Sequence, residues 1–337
     1  MSTDIAHSSG VDASVVADSP AIGFDIGGTN LRAAVVSADG KVLYRVQTSS
    51  DGSVDAIERG IVQTSERLVE KFPEVSAIGL AIAGFLDSDR QTVRFAPHLP
   101  WRDANVVKRL SLLLPRPLQL EHDANSAAWG EFRFGAARGA DNWVLFALGT
   151  GIGGAMMQGG KIYRGAYGTA PEFGHLTVVP EGRACACGKR GCFERYCSGT
   201  ALVTTAAELA ESGQYYSRLT DGLVAGTVTG TDVVAAARQG DELAEAALDD
   251  FATWLGRGLS IVGDVFDPEL VVIGGGVATA SDLYLEKAQA EFARNITGSG
   301  YRPVAEVKVA ELGADAGLIG VADIARSFVV AEVRDPS

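Results

Sequence analysis

Hydrophobic residues along the chain fall in short blocks that are repeatedly closed by glycine. Pro20 to Asp25 is an apolar run leading into Asp25-Ile26-Gly27-Gly28-Thr29-Asn30. Leu31 to Ser37 is rich in β-formers, Asp39-Gly40 is a turn signal, and Lys41 to Thr48 resumes an extended pattern. The segment predicts a hairpin with a glycine-rich entry. Val54 to Phe72 carries Ile57, Ile61 and Leu68 at helical spacing and predicts a helix. Ala77 to Ala83 and Pro117 to Glu121 predict strands, and Ala104 to Leu114 and Ala124 to Arg138 predict helices.

The opening pattern then recurs. Trp143 to Leu148 is apolar, Gly149-Thr150-Gly151-Ile152-Gly153-Gly154 is glycine-rich, Ala155 to Gln158 is apolar, Gly159-Gly160 turns, and Lys161-Ile162-Tyr163 resumes. Strand, glycine loop, strand, turn, lysine, strand occurs twice, which predicts an internal duplication and two related lobes. After a mixed loop come long helices over Asp241 to Phe266, a strand over Leu270 to Ile273, and Gly274-Gly275-Gly276. A helix (Ser281 to Asn295), a strand (Val304 to Val309) and a last helix (Ala316 to Phe328) complete an alternating α/β order.

Composition narrows the function classes. With 47% hydrophobic residues the chain can fill a sizeable core, and its length suits two domains. A net charge of −13 argues against a broad nucleic-acid or anionic-membrane surface. A small phosphate ligand stays open, because backbone N–H groups bind one without a basic surface. Residues 1–20 have no basic start and no long apolar run, so they predict a flexible tail, and a cytoplasmic location follows as the default.

Each of the three glycine-rich segments follows an apolar strand. Glycine removes the Cβ and lets backbone N–H groups approach a phosphate closely. Asp25 at a strand end suits Mg²⁺ held through water, and the Thr29 and Thr150 hydroxyls suit phosphate oxygens. Gly274 to Gly276 would let a base or ribose lie against the backbone. Any one loop alone reads more simply as a hairpin turn; three in this order favour the phosphate reading. The Gly-Lys-Ser/Thr ending of a Walker loop is missing, and Gly27 opens a hairpin rather than a dinucleotide-binding helix.

All four cysteines, Cys185, Cys187, Cys192 and Cys197, lie close together, and His175 precedes them. In a reducing compartment this pattern suggests a four-coordinate structural zinc. Whether His175 or Cys197 supplies the fourth ligand is open at this point. Asp123, in Glu121-His122-Asp123-Ala124-Asn125, sits where a strand passes into a helix, and reads either as a helix cap or as a general base.

These residues together resemble the actin-like sugar kinases, and in particular the ROK family of repressors, open reading frames and sugar kinases. The carrying motifs are Asp25 to Asn30, Leu148 to Gly154, Glu172-Phe173-Gly174-His175, the cysteine cluster, and Ile273 to Gly276. The resemblance runs from about Ile22 to about Phe328. It implies a two-lobed actin-like, ribonuclease H-like α/β fold with a central cleft. The smaller N-terminal lobe would span residues 21–123 and be completed by the helix at 316–330. The larger lobe would span 124–315, with the zinc loop at 175–197.

The resemblance further implies that ATP is bound by Asp25, Gly27, Gly28, Thr29, Asn30, Gly149, Thr150, Gly151, Gly153, Gly274, Gly275 and Gly276. Zinc would be held by His175, Cys185, Cys187 and Cys192, leaving Cys197 as a small core residue. Gly84, His122, Asp123, Glu172, His175 and Glu194 would meet a hexose, with Asp123 as base for its 6-hydroxyl and Mg²⁺ on the phosphates. Many relatives carry Asn where this chain has His98 and His122. Glucose leads as acceptor, ahead of mannose, fructose and N-acetylhexosamines. Family relatives also imply a homodimer or homotetramer. A transcriptional regulator of the same family would need a DNA-binding domain, which the acidic segment before the first glycine loop does not predict. A silent sugar sensor is disfavoured by the presence of both Asp25 and Asp123.

Overall fold

The computed structural model describes residues 13–27, 30–49 and 52–334, which divide into two compact units. The first unit takes the described residues up to Phe134, with Ala166–Thr169 and those from Asp315 on. The second takes Gly135–Gly165 and Ala170–Ala314.

In the first unit, helix α1 (Ala13–Asp18) precedes the strands β1 (Ala21–Ile26), β2 (Asn30–Val36) and β3 (Val42–Ser49). Helix α2 (Val54–Lys71), capped by Ser53, leads to β4 (Ile78–Ile82). A small sheet of β5 (Phe85–Leu86), β6 (Thr92–Phe95) and β7 (Arg102–Asn105) follows, then α3 (Val106–Leu110), β8 (Leu118–His122) and α4 (Asp123–Phe134). The main sheet runs β3-β2-β1-β4-β8. Every residue of β4 and all but Asp25 of β1 are buried, which explains their near-continuous apolar runs: strands covered on both faces lose the alternating pattern.

The C-terminal helix (Ala316–Arg334) lies directly on this sheet. A Cβ at Gly23 would fall 2.1 Å from the Leu318 carbonyl oxygen, and one at Gly79 would fall 2.2 Å from that of Val321, so only glycine permits this approach. Helix α4 packs against the same helix through Asp323, which is 1% exposed. Asp323 accepts hydrogen bonds from Trp129 Nε1 at 2.8 Å and Arg133 Nε at 3.1 Å. The unit boundary therefore falls after Phe134, and α4 does not belong with the second unit as the 124–315 boundary expected.

Two further expectations are corrected. Part of the expected tail is ordered: α1 packs on the C-terminal helix with Val16 buried, and Arg326 Nη1 donates to the Ser19 carbonyl at 3.3 Å. Residues 1–12 of that tail lie outside the described residues. The helix expected over Ala104 to Leu114 begins only after β7, where the Asn105 side chain accepts from Lys108 N at 2.8 Å.

The second unit repeats the pattern. Strands β9 (Trp143–Leu148), β10 (Ile152–Gln158) and β11 (Lys161–Ile162) form an antiparallel set. Helices α5 (Gly199–Glu211), α6 (Thr220–Val224), α7 (Gly230–Ala237) and α8 (Glu242–Phe266) follow, then β12 (Leu270–Gly274), α9 (Leu285–Asn295) and β13 (Glu306–Val309). The sheet runs β11-β10-β9-β12-β13. As in the first unit, an antiparallel trio is extended by two parallel strands, so the duplicated motif corresponds to a duplicated topology. Phe251, Leu255 and Leu259 of α8 share one core with Val144, Phe146 and Leu148 of β9. Among the described residues no helix is long and apolar enough to cross a membrane.

Candidate active site

In the first unit, β1, β4 and β8 run parallel, and their last residues Ile26, Ile82 and His122 lie in register. Gly27, Gly84 and Asp123 therefore follow along one edge, at the carboxyl ends where open α/β sheets bind ligands. Asp25, one position earlier, lies 3.4 Å from Arg32 Nη1. Burial raises the Asp25 pKa, opposed by the Arg32 charge and reinforced by the Asp123 charge. Asn30 opens β2 and its carbonyl accepts from Gly27 N at 2.9 Å. Gly28 and Thr29 lie outside the described residues.

Asp123 is the first residue of α4 and is 44% exposed. Its Oδ1 accepts from Ala124 N at 2.7 Å and lies 3.3 Å from His122 Nε2. That bond reaches only the next residue, whereas a capping side chain binds an N–H two or three residues on. Both contacts fall on Oδ1; among the described residues Oδ2 has no hydrogen-bond partner, so it is available to a ligand hydroxyl. The turn bearing His122 and Asp123 is pinned by Glu121, 1% exposed, which accepts from His122 N at 3.1 Å and Asn125 Nδ2 at 3.0 Å. Arg90 Nη1 lies 3.6 Å from the same carboxylate. Sequence reading passed over Glu121 and Arg90, because nothing local distinguishes a buried carboxylate from a surface one. A Cβ on Gly84 would meet the Phe95 carbonyl at 2.7 Å, so close packing on β6 already requires glycine there. His98 is exposed in the turn after β6.

In the second unit the glycine loop between β9 and β10 opens onto a cavity of about 870 Å³. Gly149 and Thr150 line it, with the starts of α5 (Gly199, Thr200) and α7 (Thr229, Gly230, Thr231), and with Gly276, Val277 and Thr279 after β12. Each helix start leaves N–H groups without a helical partner, a ready anion site. The backbones meet tightly: Gly199 N donates to the Gly149 carbonyl at 2.8 Å. Gly275 has φ +83°, and a Cβ on it would sit 2.4 Å from the Leu148 carbonyl oxygen, so conformation and space both require glycine. Gly151, Gly153, Gly274 and Gly275 shape the strand ends without lining the cavity; Gly153 pairs with Ala147 inside the sheet. The lining residues of α5 and α7 were missed in the stretch read as mixed loop. Ser198 and the Thr229–Asp232 capping box were the local signals that marked both helix starts.

Beyond β11, His175, Cys185, Cys187 and Cys192 bring their ligand atoms within 4.8 Å of one another. His175 Nδ1 lies 3.7 Å from Cys185 Sγ, and Cys187 Sγ lies 3.6 Å from Cys192 Sγ. A tetrahedral zinc with Zn–S bonds of about 2.3 Å sets its sulfurs about 3.8 Å apart, so the donor set and spacing fit that ion. Burial, with hydrogen bonds to Glu194 and the neighbouring thiols, pushes the Cys185 thiol up to about 12. Cys197 stands apart: it is fully buried beside the Phe251 carbonyl, and burial pushes its thiol well above the usual range. This geometry favours His175 over Cys197 as fourth member of the cluster. With Nδ1 turned to the thiols, His175 presents Nε2 to Glu172, 3.9 Å away. Glu194 lies 3.8 Å from His175 Nδ1, and its Oε2 would sit 2.6 Å from a Cβ on Gly151. Glu172, His175 and Glu194 are thus gathered beside the glycine loop.

Residues 21–327 match the model of the ROK family. The chain belongs to the ROK family. It is 39% identical over 309 residues to a glucokinase of Streptomyces coelicolor, covering 90% of this chain and 97% of that one. Its fold matches a ROK family glucokinase from Streptomyces griseus, solved in complex with glucose and AMPPNP, with a TM-score of 0.79 and 39% identity over 91% of this chain and 99% of that one. A ROK hexokinase from Thermus thermophilus matches with a TM-score of 0.77 and 32% identity, over 92% of this chain and 99% of that one. The α/β architecture of this ROK chain is therefore that of the actin-like sugar kinases.

Proposed function

We propose that the chain transfers the γ-phosphoryl group of ATP to the 6-hydroxyl of glucose. The observation that carries the reading is Asp123, held on Oδ1 and open on Oδ2 at the carboxyl ends of the parallel strands β1, β4 and β8, in a chain 39% identical to a glucokinase over nearly its whole length. Phosphoryl transfer needs positioning and charge stabilisation more than covalent chemistry. Asp123 Oδ2 accepts the hydroxyl proton as the oxygen attacks, and His122 and Ala124 N keep that carboxylate oriented. The helix starts around the second unit's cavity and the Gly149–Thr150 loop hold the nucleotide. Mg²⁺, when bound, neutralises the phosphate charge, and Asp25 would hold it through water.

Glu172, His175 Nε2 and Glu194 bind sugar hydroxyls, the carboxylates accepting several hydrogen bonds at once. A zinc on His175 Nδ1, Cys185, Cys187 and Cys192 would have no open position and would serve to fix those three groups. The reading also carries the sequence-based expectation of a cytoplasmic homodimer or homotetramer. An ADP-release assay with MgATP across a hexose panel tests the reading: glucose is the fastest acceptor. Turnover confined to another hexose moves the specificity to the His98 and His122 positions, and none with any hexose overturns the kinase reading.

Asp25 provides a prediction with a fixed sign. Its folded pKa is raised above the ordinary 3.8, so its ionisation opposes folding. The favourable contribution is complete below 3.8 and is lost as pH climbs through the raised value. Asp25→Asn removes that charge, so the variant melts higher than the parent at pH 8 while turnover falls at least about tenfold, as for a lost metal contact. Paired thermal melts and rate assays check this; a lower melting temperature at pH 8 contradicts it.

A further inference from the structure

The second unit's cavity is lined by side chains that distinguish one nucleobase edge from another poorly. Among its described lining residues none is charged and none carries an amide or an imidazole; the polar side chains are all threonines. Three of those hydroxyls already serve their own backbone or cap. Thr204 Oγ1 donates to the Thr200 carbonyl at 3.0 Å, Thr279 Oγ1 to the Gly276 carbonyl at 2.7 Å, and Thr229 Oγ1 to Asp232 at 2.6 Å.

The nearby backbone carbonyls each already accept one hydrogen bond. The Gly276 carbonyl takes the Thr279 hydroxyl, and the Val277 carbonyl takes Tyr284 Oη at 3.2 Å. The Gly149 carbonyl takes Gly199 N. The Thr150, Thr200 and Thr231 hydroxyls each donate or accept alike, so they serve a 6-amino or a 6-oxo edge equally. The rest of the lining side chains around the threonines are apolar, from Leu202, Val203, Val234 and Val277, while the helix starts supply N–H groups suited to phosphate.

We infer that this site accepts purine nucleoside triphosphates as a class and separates adenine from hypoxanthine and guanine only weakly. The inference rests on the kinase reading and names the donor class for it. The physical reason is an asymmetry. A pocket with buried groups dedicated to a base edge rejects the wrong base by about 10⁴–10⁵, because the mismatch leaves those groups unpaired. An apolar slot rejects a misfit by only about 10–200-fold.

The test uses the full-length wild-type protein in two measurements. The first compares kcat/KM for ATP, GTP and ITP with saturating glucose. The second compares Kd for AMPPNP and GMPPNP by calorimetry without sugar. We expect each non-adenine nucleotide within about 100-fold of its adenine counterpart in both. A larger loss for ITP or GTP, or in the GMPPNP affinity, overturns the inference while leaving the ATP kinase intact. Absence of glucose turnover with tight binding of both analogues overturns the kinase reading and upholds the broad purine site.

Discussion

Asp123→Asn lowers kcat by about 10²–10⁴ and leaves the melting temperature close to that of the parent, the range expected for loss of a general base. Asparagine keeps the volume and can still accept from Ala124 N through its side-chain oxygen, so the start of α4 persists. What disappears is a carboxylate able to take the hydroxyl proton at Oδ2. The residue is 44% exposed, so little packing is lost. KM for ATP stays near the parental value, because every described residue lining the cavity assigned to the nucleotide belongs to the second unit. Single-turnover rates with melts on both proteins check the split. A variant with kcat within about threefold of the parent removes Asp123 from the base role.

Cys187→Ser abolishes stoichiometric zinc and weakens glucose binding more than ATP binding. Cys187 is the exposed member of the cluster, so its replacement reports on ligation and not on core packing. Metal ligation is folding free energy for the segment it ties. The second unit keeps its sheet and helical core without it, so the cost falls on the loop that presents Glu172, His175 and Glu194. A loss of about 3 kcal/mol corresponds to a fall of roughly 6–12 °C in melting temperature for a unit of this size. Metal content by mass spectrometry, glucose KM and thermal melts form the check. One zinc per chain in the variant, or an unchanged glucose KM, contradicts the assignment.

The elements that sequence reading recovered are those whose signals are local. The runs 21–26 and 143–148 are apolar because both faces of β1 and β9 are covered, and glycines close each run. The 25-residue helix α8 declares itself by its buried stripe. Helix α1 was invisible because one anchor, Val16, holds it to a helix about three hundred positions away. The start of α3 was misplaced because Arg102–Asn105 pair with β6, a tertiary preference that overrides the apolar pattern.

The site divides in the same way. The cysteines and His175 were legible from spacing; spacing alone left Cys197 a candidate and the resemblance set it apart, and the fold gives the physical reason by burying it against α8. The cavity depends on Gly149, Gly199, Gly230 and Gly276 converging from four segments. That convergence is set by sheet order and helix packing, which the capping residues at Ser198 and Thr229 hint at but do not specify.

The most direct test of the account is the product formed from glucose and MgATP by the zinc-loaded, folded protein. The account predicts one ADP released per glucose consumed, with the phosphoryl group on the 6-oxygen by phosphorus NMR, and loss of both signals in Asp123→Asn. A folded, zinc-loaded protein that forms no phosphorylated glucose, or forms it equally well without Asp123, contradicts it.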